Sequence, residues 1–235
     1  EWKIYLDDNN YESKKMLLMG GINMSFIRAI KERRQEHKYR RQRAKRGWSV
    51  KDTWSIDYWF LEVMPQMLEY LKEHHMGFPG ELQKEYVEAH SDELNMTYEE
   101  YCCWPADENS DGYKLREKTD EICNNLWNDI LDRMIFLLRE ASEETCTVKN
   151  PYEEENLKNY KEFTKKYGIL GEKLLKPEDI YPNGAKRLYS PSDIPEYKET
   201  SELYLKESIK LDEYRDRCKT EAINLFNRWF WNLWD

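Results

Sequence analysis

Glycine and proline are scarce in this chain, at nine and eight positions among 235 residues. Because both residues interrupt regular helices, their scarcity favours long helical segments. The chain also lacks an apolar run long enough to cross a bilayer and lacks a secretory signal peptide, so we expect no membrane partner. Together these absences predict a mainly α protein.

Cysteine and histidine do not occur in the patterns that cross-link small proteins or bind zinc. The five cysteines are an odd number without a CxxC pair, which argues against a disulfide framework. The four histidines have no cysteine at zinc-site spacing, so the sequence predicts no structural metal. Free thiols are typical of a reducing compartment, and we therefore expect a cytoplasmic protein.

The motifs of the common enzyme classes are absent as well. There is no GxxxxGK(S/T) phosphate loop, no GxGxxG after a strand, no HExxH and no GxSxG. No cysteine has a recognisable histidine partner for nucleophilic catalysis. We therefore expect no catalytic residue, no metal and no cofactor, and the sequence favours a binding protein over an enzyme.

Helical periodicity is the strongest pattern that the chain does contain. Three stretches with apolar residues at 3.6-residue spacing predict long helices over residues 54–75, 113–143 and 222–234, packed on one another. The first belongs to an aromatic stretch, residues 48–75, that is apolar over most of a helical circumference. This pattern predicts a buried central helix with a kink near residues 61–64, caused by Pro65.

The predicted architecture is a single all-α domain over residues 1–235, built on three or four long helices. Residues 168–197 differ from the rest, because they are rich in proline, glycine and turn dipeptides and their apolar residues are scattered. A structureless loop of this length is unusual within a compact domain. We therefore predict an ordered, irregular excursion that packs on the helices.

Asp57 lies among aromatic residues of the predicted central helix, where a buried carboxylate must be paired, hydrogen-bonded or protonated. A catalytic or metal-binding role is one interpretation, but no second acidic residue shares this face at metal-ligand spacing. The sequence favours a buried structural carboxylate. Its expected partner is a donor such as Arg133, Arg228 or a tryptophan indole.

A basic run occupies residues 31–46 of a predicted helix over residues 22–46. It contains nine Lys and Arg and two Glu, a net charge of +7 within a chain of net charge −9. Such a run is typical of a nucleic-acid or nucleotide site, although it could also pair with acidic faces of the same protein or lie solvated. Tyr39 is its one interleaved aromatic residue, which weakens a single-strand stacking platform. The candidate binding residues are Arg33, Arg34, Arg40 and Arg43.

One acidic pattern has catalytic potential. Glu117, Asp120 and Glu121 resemble the ExxD element of all-α nucleotide pyrophosphatases, which implies a magnesium site facing a second acidic cluster. Glu69 and Glu73 are the only helical candidates for that second cluster. The alternative, which the sequence favours, is a solvated acidic helix face.

Three blocks of the chain resemble a wider family. They are RGWSVKDTWSIDYWFLEVMPQMLEYLKEHHMGFPGE at residues 46–81, WNDILDRMIFLLREASEETC at 127–146 and EAINLFNRWFWNLWD at 221–235. They are similar to a family of uncharacterised proteins encoded by phages and prophages of Gram-positive bacteria, through WSxxDxWSID combined with a C-terminal NLWD. The resemblance implies a phage or prophage product in a bacterial cytoplasm and carries over no catalytic role.

Three functional interpretations follow from the sequence. The leading one is a non-enzymatic phage or prophage accessory protein that binds a host or phage macromolecule. We expect a protein partner, and inhibition of a bacterial defence system is one concrete form. The second is a nucleic-acid or nucleotide-binding protein that uses the basic helix, and the third is a metal-dependent nucleotide hydrolase. A solvent-facing basic ridge would favour nucleic acid, internal neutralisation would favour the first interpretation, and converging carboxylates would favour the hydrolase.

Overall fold

The regular elements of the structure, a computed structural model, are helices throughout the described residues 24–103 and 110–234. Within these ranges, the only β contact is an isolated antiparallel bridge between Ile180 and Lys186. The prediction of a mainly α fold is confirmed. The α-helices are α1 (Met24–Arg46), α2 (Ile56–His74), α3 (Gly80–Ala89), α4 (Ser91–Leu94), α5 (Tyr98–Cys102), α6 (Asp111–Ala141), α7 (Glu153–Tyr167) and α8 (Pro195–Trp229).

The chain divides into two compact units, Glu1–Trp59 and Phe60–Asp235, with the boundary inside α2. In the described part of the first unit, α1 is followed by a 3-10 turn at Asp52–Trp54 and by the first residues of α2. The second unit contains the remaining helices and the hydrophobic core. The single domain over residues 1–235 stays a prediction.

The core of the second unit is built around α6. The predicted stripe of this helix places Trp127, Leu131, Met134 and Leu138 on one buried face. Trp127 meets Trp229 of α8 edge to face, with the ring centroids 5.6 Å apart. Because full burial of a Leu or Met side chain contributes about 1.5–3 kcal/mol, this stripe is a major source of packing energy in the unit.

Helix α2 begins later than the aromatic stretch predicts. Asp52–Trp54 form a separate 3-10 turn, and the following Ser55 has a non-helical backbone with φ −146° and ψ 78°. The turn is closed by the backbone N–H of Trp54, which donates to the Lys51 carbonyl at 3.2 Å, and Asp52 Oδ2 accepts the backbone N–H of Ser49 at 2.7 Å just before it. The non-helical backbone of Ser55 separates the 3-10 turn from the helix, so α2 starts only at Ile56.

Helix α2 is also more exposed than predicted. Pro65 and Leu68 are its only buried residues, whereas Tyr70 is 66% exposed. The prediction of a buried central helix is therefore wrong, and α6 takes that place in the second unit. A wide apolar arc shows that several faces of a helix could pack against neighbouring elements, but it does not show which of them do. Here one side packs against the core, through residues such as Phe60 and Met64.

The last helix, α8, begins at Pro195, where a proline needs no partner for a backbone N–H. It ends at Trp229, which is buried in the core. The 3-10 turn Phe230–Asn232 follows, and beyond the helix Trp231 is 83% and Trp234 is 71% exposed. The aromatic C-terminus is therefore anchored at Trp229 while two of its indoles face outward.

The segment between α7 and α8 contains three short 3-10 turns, and two of them share one geometry. Asp179 accepts the backbone N–H of Lys176 at 2.8 Å, and Asp193 accepts that of Ser190 at 2.8 Å. Each aspartate closes its turn, as a side-chain cap closes the first turn of a helix. At Gly171, φ is 69°, a left-handed conformation that favours glycine.

Candidate nucleic-acid interface

Helix α1 presents a continuous cationic face to solvent. At about 100° per residue, seven Lys and Arg side chains fall within about half of the helical circumference, and Glu32 and Glu36 lie outside that arc. All seven side chains are exposed in the described part of the chain. We call this arc the cationic face, and its members are Lys31, Arg33, Arg34, Lys38, Arg40, Arg41 and Lys45.

The opposite side of α1 is attached to the turn that follows it. Lys51 of this turn pairs with Glu36 at 3.4 Å. The guanidinium carbon of Arg46 lies 3.6 Å from the centre of the Trp48 ring, which is cation–π distance. These contacts hold the turn against one side of the helix, so the cationic face is left open among the described residues of the unit.

Arg43 belongs to this attachment. Its Nε donates to Oδ2 of Asp52 at 3.0 Å, and a second guanidinium nitrogen contacts Oδ1. The Asp52 side chain is only 7% exposed. The Arg43 guanidinium, helped by the Ser49 N–H, holds the pKa of Asp52 well below its usual range, although burial acts to raise it. Arg43, predicted as a binding residue, is therefore engaged in holding the first unit together.

Basic residues outside the cationic face neutralise the acidic residues of α1. Glu32 pairs with Arg28 at 2.9 Å, and Glu36 pairs with Lys51. Among the described residues, no Lys or Arg of the cationic face forms an ion pair. The face therefore keeps its positive charge. It brings together three of the four predicted binding residues, namely Arg33, Arg34 and Arg40.

Asp57 is not the buried carboxylate that the sequence predicts. It is exposed in the first turn of α2, where the positive end of the helix dipole stabilises a hydrated carboxylate. Its expected partners bind elsewhere, since Arg133 pairs with Glu221 at 2.7 Å and Arg228 pairs with Glu85 at 2.6 Å. The prediction fails because α2 begins only one residue before Asp57. No earlier turn of this helix is present to cover the Asp57 side chain.

The most deeply buried carboxylate among the described residues of the second unit is Glu140, near the end of α6 and 1% exposed. It accepts hydrogen bonds from the Tyr214 hydroxyl at 2.8 Å and from the Thr147 N–H at 3.0 Å. Burial acts to raise the pKa of Glu140, but these hydrogen bonds outweigh it and lower the pKa below its usual value. Sequence reasoning missed Glu140 because Tyr214 lies 74 positions away along the chain.

The acidic residues of the hydrolase interpretation do not converge. Within the described ranges, no three His, Cys, Asp or Glu side chains are grouped closely enough to hold a metal ion. Asp120 accepts hydrogen bonds from Gln83 at 2.7 Å and from Tyr101 at 2.9 Å, and Glu69 pairs with Arg139. The other acidic candidates are exposed, namely Glu73, Glu117 and Glu121. The geometry therefore gives the hydrolase interpretation no support in this part of the chain.

In the part of the chain that the structure describes, no helix is long and apolar enough to traverse a bilayer.

Comparison of the chain with family models, curated proteins and solved structures finds no match. Function is therefore inferred from side-chain geometry and charge.

Proposed function

We propose that this protein binds nucleic acid through the cationic face of α1. The main observation in support is that seven exposed Lys and Arg residues share one side of the helix, while its acidic residues pair outside that side. Phosphate groups dominate the affinity of proteins for nucleic acid, and Lys and Arg are the side chains that neutralise them. This solvent-facing ridge favours nucleic acid over internal neutralisation.

The acidity of the rest of the chain limits where nucleic acid can bind. The whole chain has a net charge of −9, although residues 31–46 carry +7. Acidic surfaces repel a phosphate backbone, so a polyanion is attracted to α1 and steered away from the remaining surface. A protein with this charge distribution binds nucleic acid at one place and does not coat it.

The biological setting that we propose is a phage or prophage accessory protein in a bacterial cytoplasm. Its support is the resemblance of residues 46–81, 127–146 and 221–235 to phage and prophage proteins. In that setting the phage or host genome supplies the nucleic acid. The proposed activity is binding, and no catalytic residue is assigned.

Fluorescence anisotropy of a labelled DNA duplex, titrated with purified protein at low salt, tests this proposal. The variant Arg34→Glu/Lys38→Glu/Arg41→Glu reverses three neighbouring charges of the cationic face. Glutamate has a helix propensity close to those of lysine and arginine, so α1 should remain helical. We expect the affinity for the duplex to fall by at least about 100-fold, because each phosphate contact that is lost no longer releases counterions from the DNA.

A matched control reverses three exposed lysines on α7, as Lys158→Glu/Lys161→Glu/Lys165→Glu. The control changes the net charge by the same amount and leaves α1 intact. We expect it to bind the duplex with nearly wild-type affinity. An equal loss of affinity in both variants, or full affinity in the α1 variant, would contradict the proposal.

Protein binding is a second candidate function, favoured by the outward-facing indoles of Trp231 and Trp234. Tryptophan is among the residue types that carry most of the energy of protein interfaces. A protein of a bacterial defence system is one concrete partner. Affinity capture from nuclease-treated lysate of the infected host, with wild type and Trp231→Ala/Trp234→Ala side by side, tests it. A partner captured equally by both proteins would rule out this surface.

A further inference from the structure

We infer that the cationic face is shaped for the major groove of duplex DNA, an inference that rests on the proposed nucleic-acid function. It specifies the ligand as a B-form DNA duplex, with α1 as the element that enters the groove. Three features of the first unit lead to it. They are the residue types on the face, the width of the basic arc and its length.

The cationic face has no Phe, Tyr or Trp among its side chains. Proteins that hold single strands stack the bases on aromatic side chains within a basic groove. Among residues 31–46, the aromatic Tyr39 lies on the opposite side of α1, and Gln35 donates to its hydroxyl at 2.6 Å. The Trp48 ring that follows is stacked against Arg46. Within the arc the one ring is the exposed His37 imidazole, so the face offers contacts to phosphates and base edges but no series of rings on which successive unpaired bases could stack.

The arc is basic at both edges. Arg33 and Arg40 lie at one edge and Lys31 and Lys38 at the other, roughly half a turn apart around the helix. A helix with its side chains is about 10–12 Å across, and the major groove of B-DNA is about 12 Å wide. A helix in that groove places one basic edge against each sugar-phosphate wall. One strand alone would engage only one edge.

The middle of the arc holds Arg34 and Arg41, seven positions apart and therefore on nearly the same side of the helix. With the two edges at the phosphate walls, these guanidiniums face the floor of the groove. Arginine there can donate two hydrogen bonds to O6 and N7 of guanine, the commonest specific contact in the major groove. Arg34 and Arg41 are therefore the residues that would read bases.

The length of the face suits a short duplex site. From Lys31 to Lys45 the helix rises about 21 Å, because each residue adds about 1.5 Å. At about 3.4 Å per base pair, this length covers about six base pairs. An A-form RNA duplex has a major groove too deep and narrow for a helix to read. DNA is therefore the duplex that fits.

The first test compares three probes at matched salt, namely a 16-base-pair DNA duplex, one of its single strands and the RNA duplex of the same sequence. We expect the wild-type protein to bind the DNA duplex at least about tenfold more tightly than either other probe. Equal binding of all three would overturn the groove inference and leave the proposed function standing. Absence of binding to any of them at low salt would overturn both.

The second test identifies the groove by dimethyl sulfate footprinting, which methylates guanine N7 in the major groove and adenine N3 in the minor groove. At saturating protein, we expect a several-fold loss of N7 methylation and unchanged N3 methylation. The variant Arg34→Gln/Arg41→Gln should lose the N7 protection, whereas Lys158→Gln/Lys161→Gln should keep it. Protection at N3 instead, or unchanged N7 methylation at saturation, would overturn the inference.

Discussion

Replacing Glu140 with glutamine removes one charge from the core of the second unit and barely changes the size of the side chain. Glu140 is buried, and its carboxylate accepts hydrogen bonds from the Tyr214 hydroxyl at 2.8 Å and the Thr147 N–H at 3.0 Å. Glutamine keeps one acceptor oxygen, so its new amide nitrogen faces one of these donors. A hydrogen bond to a charged group contributes about 1.5–3 kcal/mol, and we expect the free energy of unfolding to fall by about that amount.

Urea denaturation at neutral pH, followed by tryptophan fluorescence and far-UV circular dichroism, measures this loss. Glu144→Gln is the matched control, because Glu144 is exposed just beyond the same helix. We expect that control to change the free energy of unfolding by less than about 0.5 kcal/mol. If Glu140→Gln also stays within that limit, the buried hydrogen-bonded carboxylate does not stabilise the fold as we describe.

Wild type and Glu140→Gln also allow a test of pH dependence, in which the direction of the change in stability is fixed by the direction of the pKa shift. The pKa of Glu140 is lowered in the folded state, so its ionised form stabilises the fold above the unfolded pKa of about 4.3. That stabilisation disappears as the pH falls through the lower pKa of the folded state. The difference between wild type and Glu140→Gln should be complete at neutral pH and shrink in acid. A constant difference well below about pH 4.3 would contradict the lowered pKa.

Four further substitutions test the fold by thermal and urea denaturation. Asp52→Ala should destabilise the protein by about 1–2 kcal/mol, because it removes the acceptor of a capping N–H and of a guanidinium. Asp57→Ala should change stability by less than about 0.5 kcal/mol, because Asp57 is exposed. Trp127→Ala should cost about 3–5 kcal/mol through the cavity that it leaves. Gly171→Ala should cost more than about 1 kcal/mol, since φ is 69° and the new Cβ would lie 2.5 Å from Cβ of Tyr189.

Each of these has an opposite outcome that would count against the structure. A larger loss of stability for Asp57→Ala than for Asp52→Ala would support Asp57 as the buried structural carboxylate that the sequence predicts. An unchanged urea midpoint for Trp127→Ala would contradict the description of Trp127 as a buried residue of the hydrophobic core. Gly77→Ala is the comparison for Gly171→Ala, because nothing lies within 4 Å of its added Cβ. Equal effects of the two glycine substitutions would contradict the close approach at Gly171.

The fold could be predicted where periodicity and burial agree. The stripe through Trp127, Leu131 and Leu138 predicts α6 correctly, because one apolar face on an otherwise polar helix has one way to be buried. The same reasoning fails for α2, which is apolar over most of its circumference. Such a pattern cannot show which faces find neighbours, and Tyr70 remains exposed although it belongs to the apolar set.

The burial of Glu140 could not be predicted, because its partner Tyr214 is distant in sequence. Asp57 stands among aromatic residues, which suggests burial, but its position relative to the start of α2 decides its exposure. Glu140 is buried because the Tyr214 hydroxyl from α8 and the Thr147 N–H meet it. Only the packing of α8 on α6 brings Tyr214 to that place.

The candidate site was predictable in its location, and one of its residues could have been corrected from spacing alone. A helix that carries nine Lys and Arg within residues 31–46 must expose much of that charge to water. At 100° per residue, however, Arg43 lies about 180° from Arg34. Placed on a helical wheel, Arg43 falls outside the cationic face. Its pairing with Asp52 agrees with that position.

The salt dependence of DNA-duplex binding tests the central claim most directly. Each phosphate neutralised contributes about −0.9 to the slope of log affinity against log salt, so seven contacts predict a wild-type slope near −6. The neutral variant Arg34→Gln/Lys38→Gln/Arg41→Gln should reduce the steepness by about 2.7, while Lys158→Gln/Lys161→Gln/Lys165→Gln should leave the slope unchanged. A wild-type slope near zero, or the same slope in the α1 variant as in wild type, would contradict nucleic-acid binding through the cationic face.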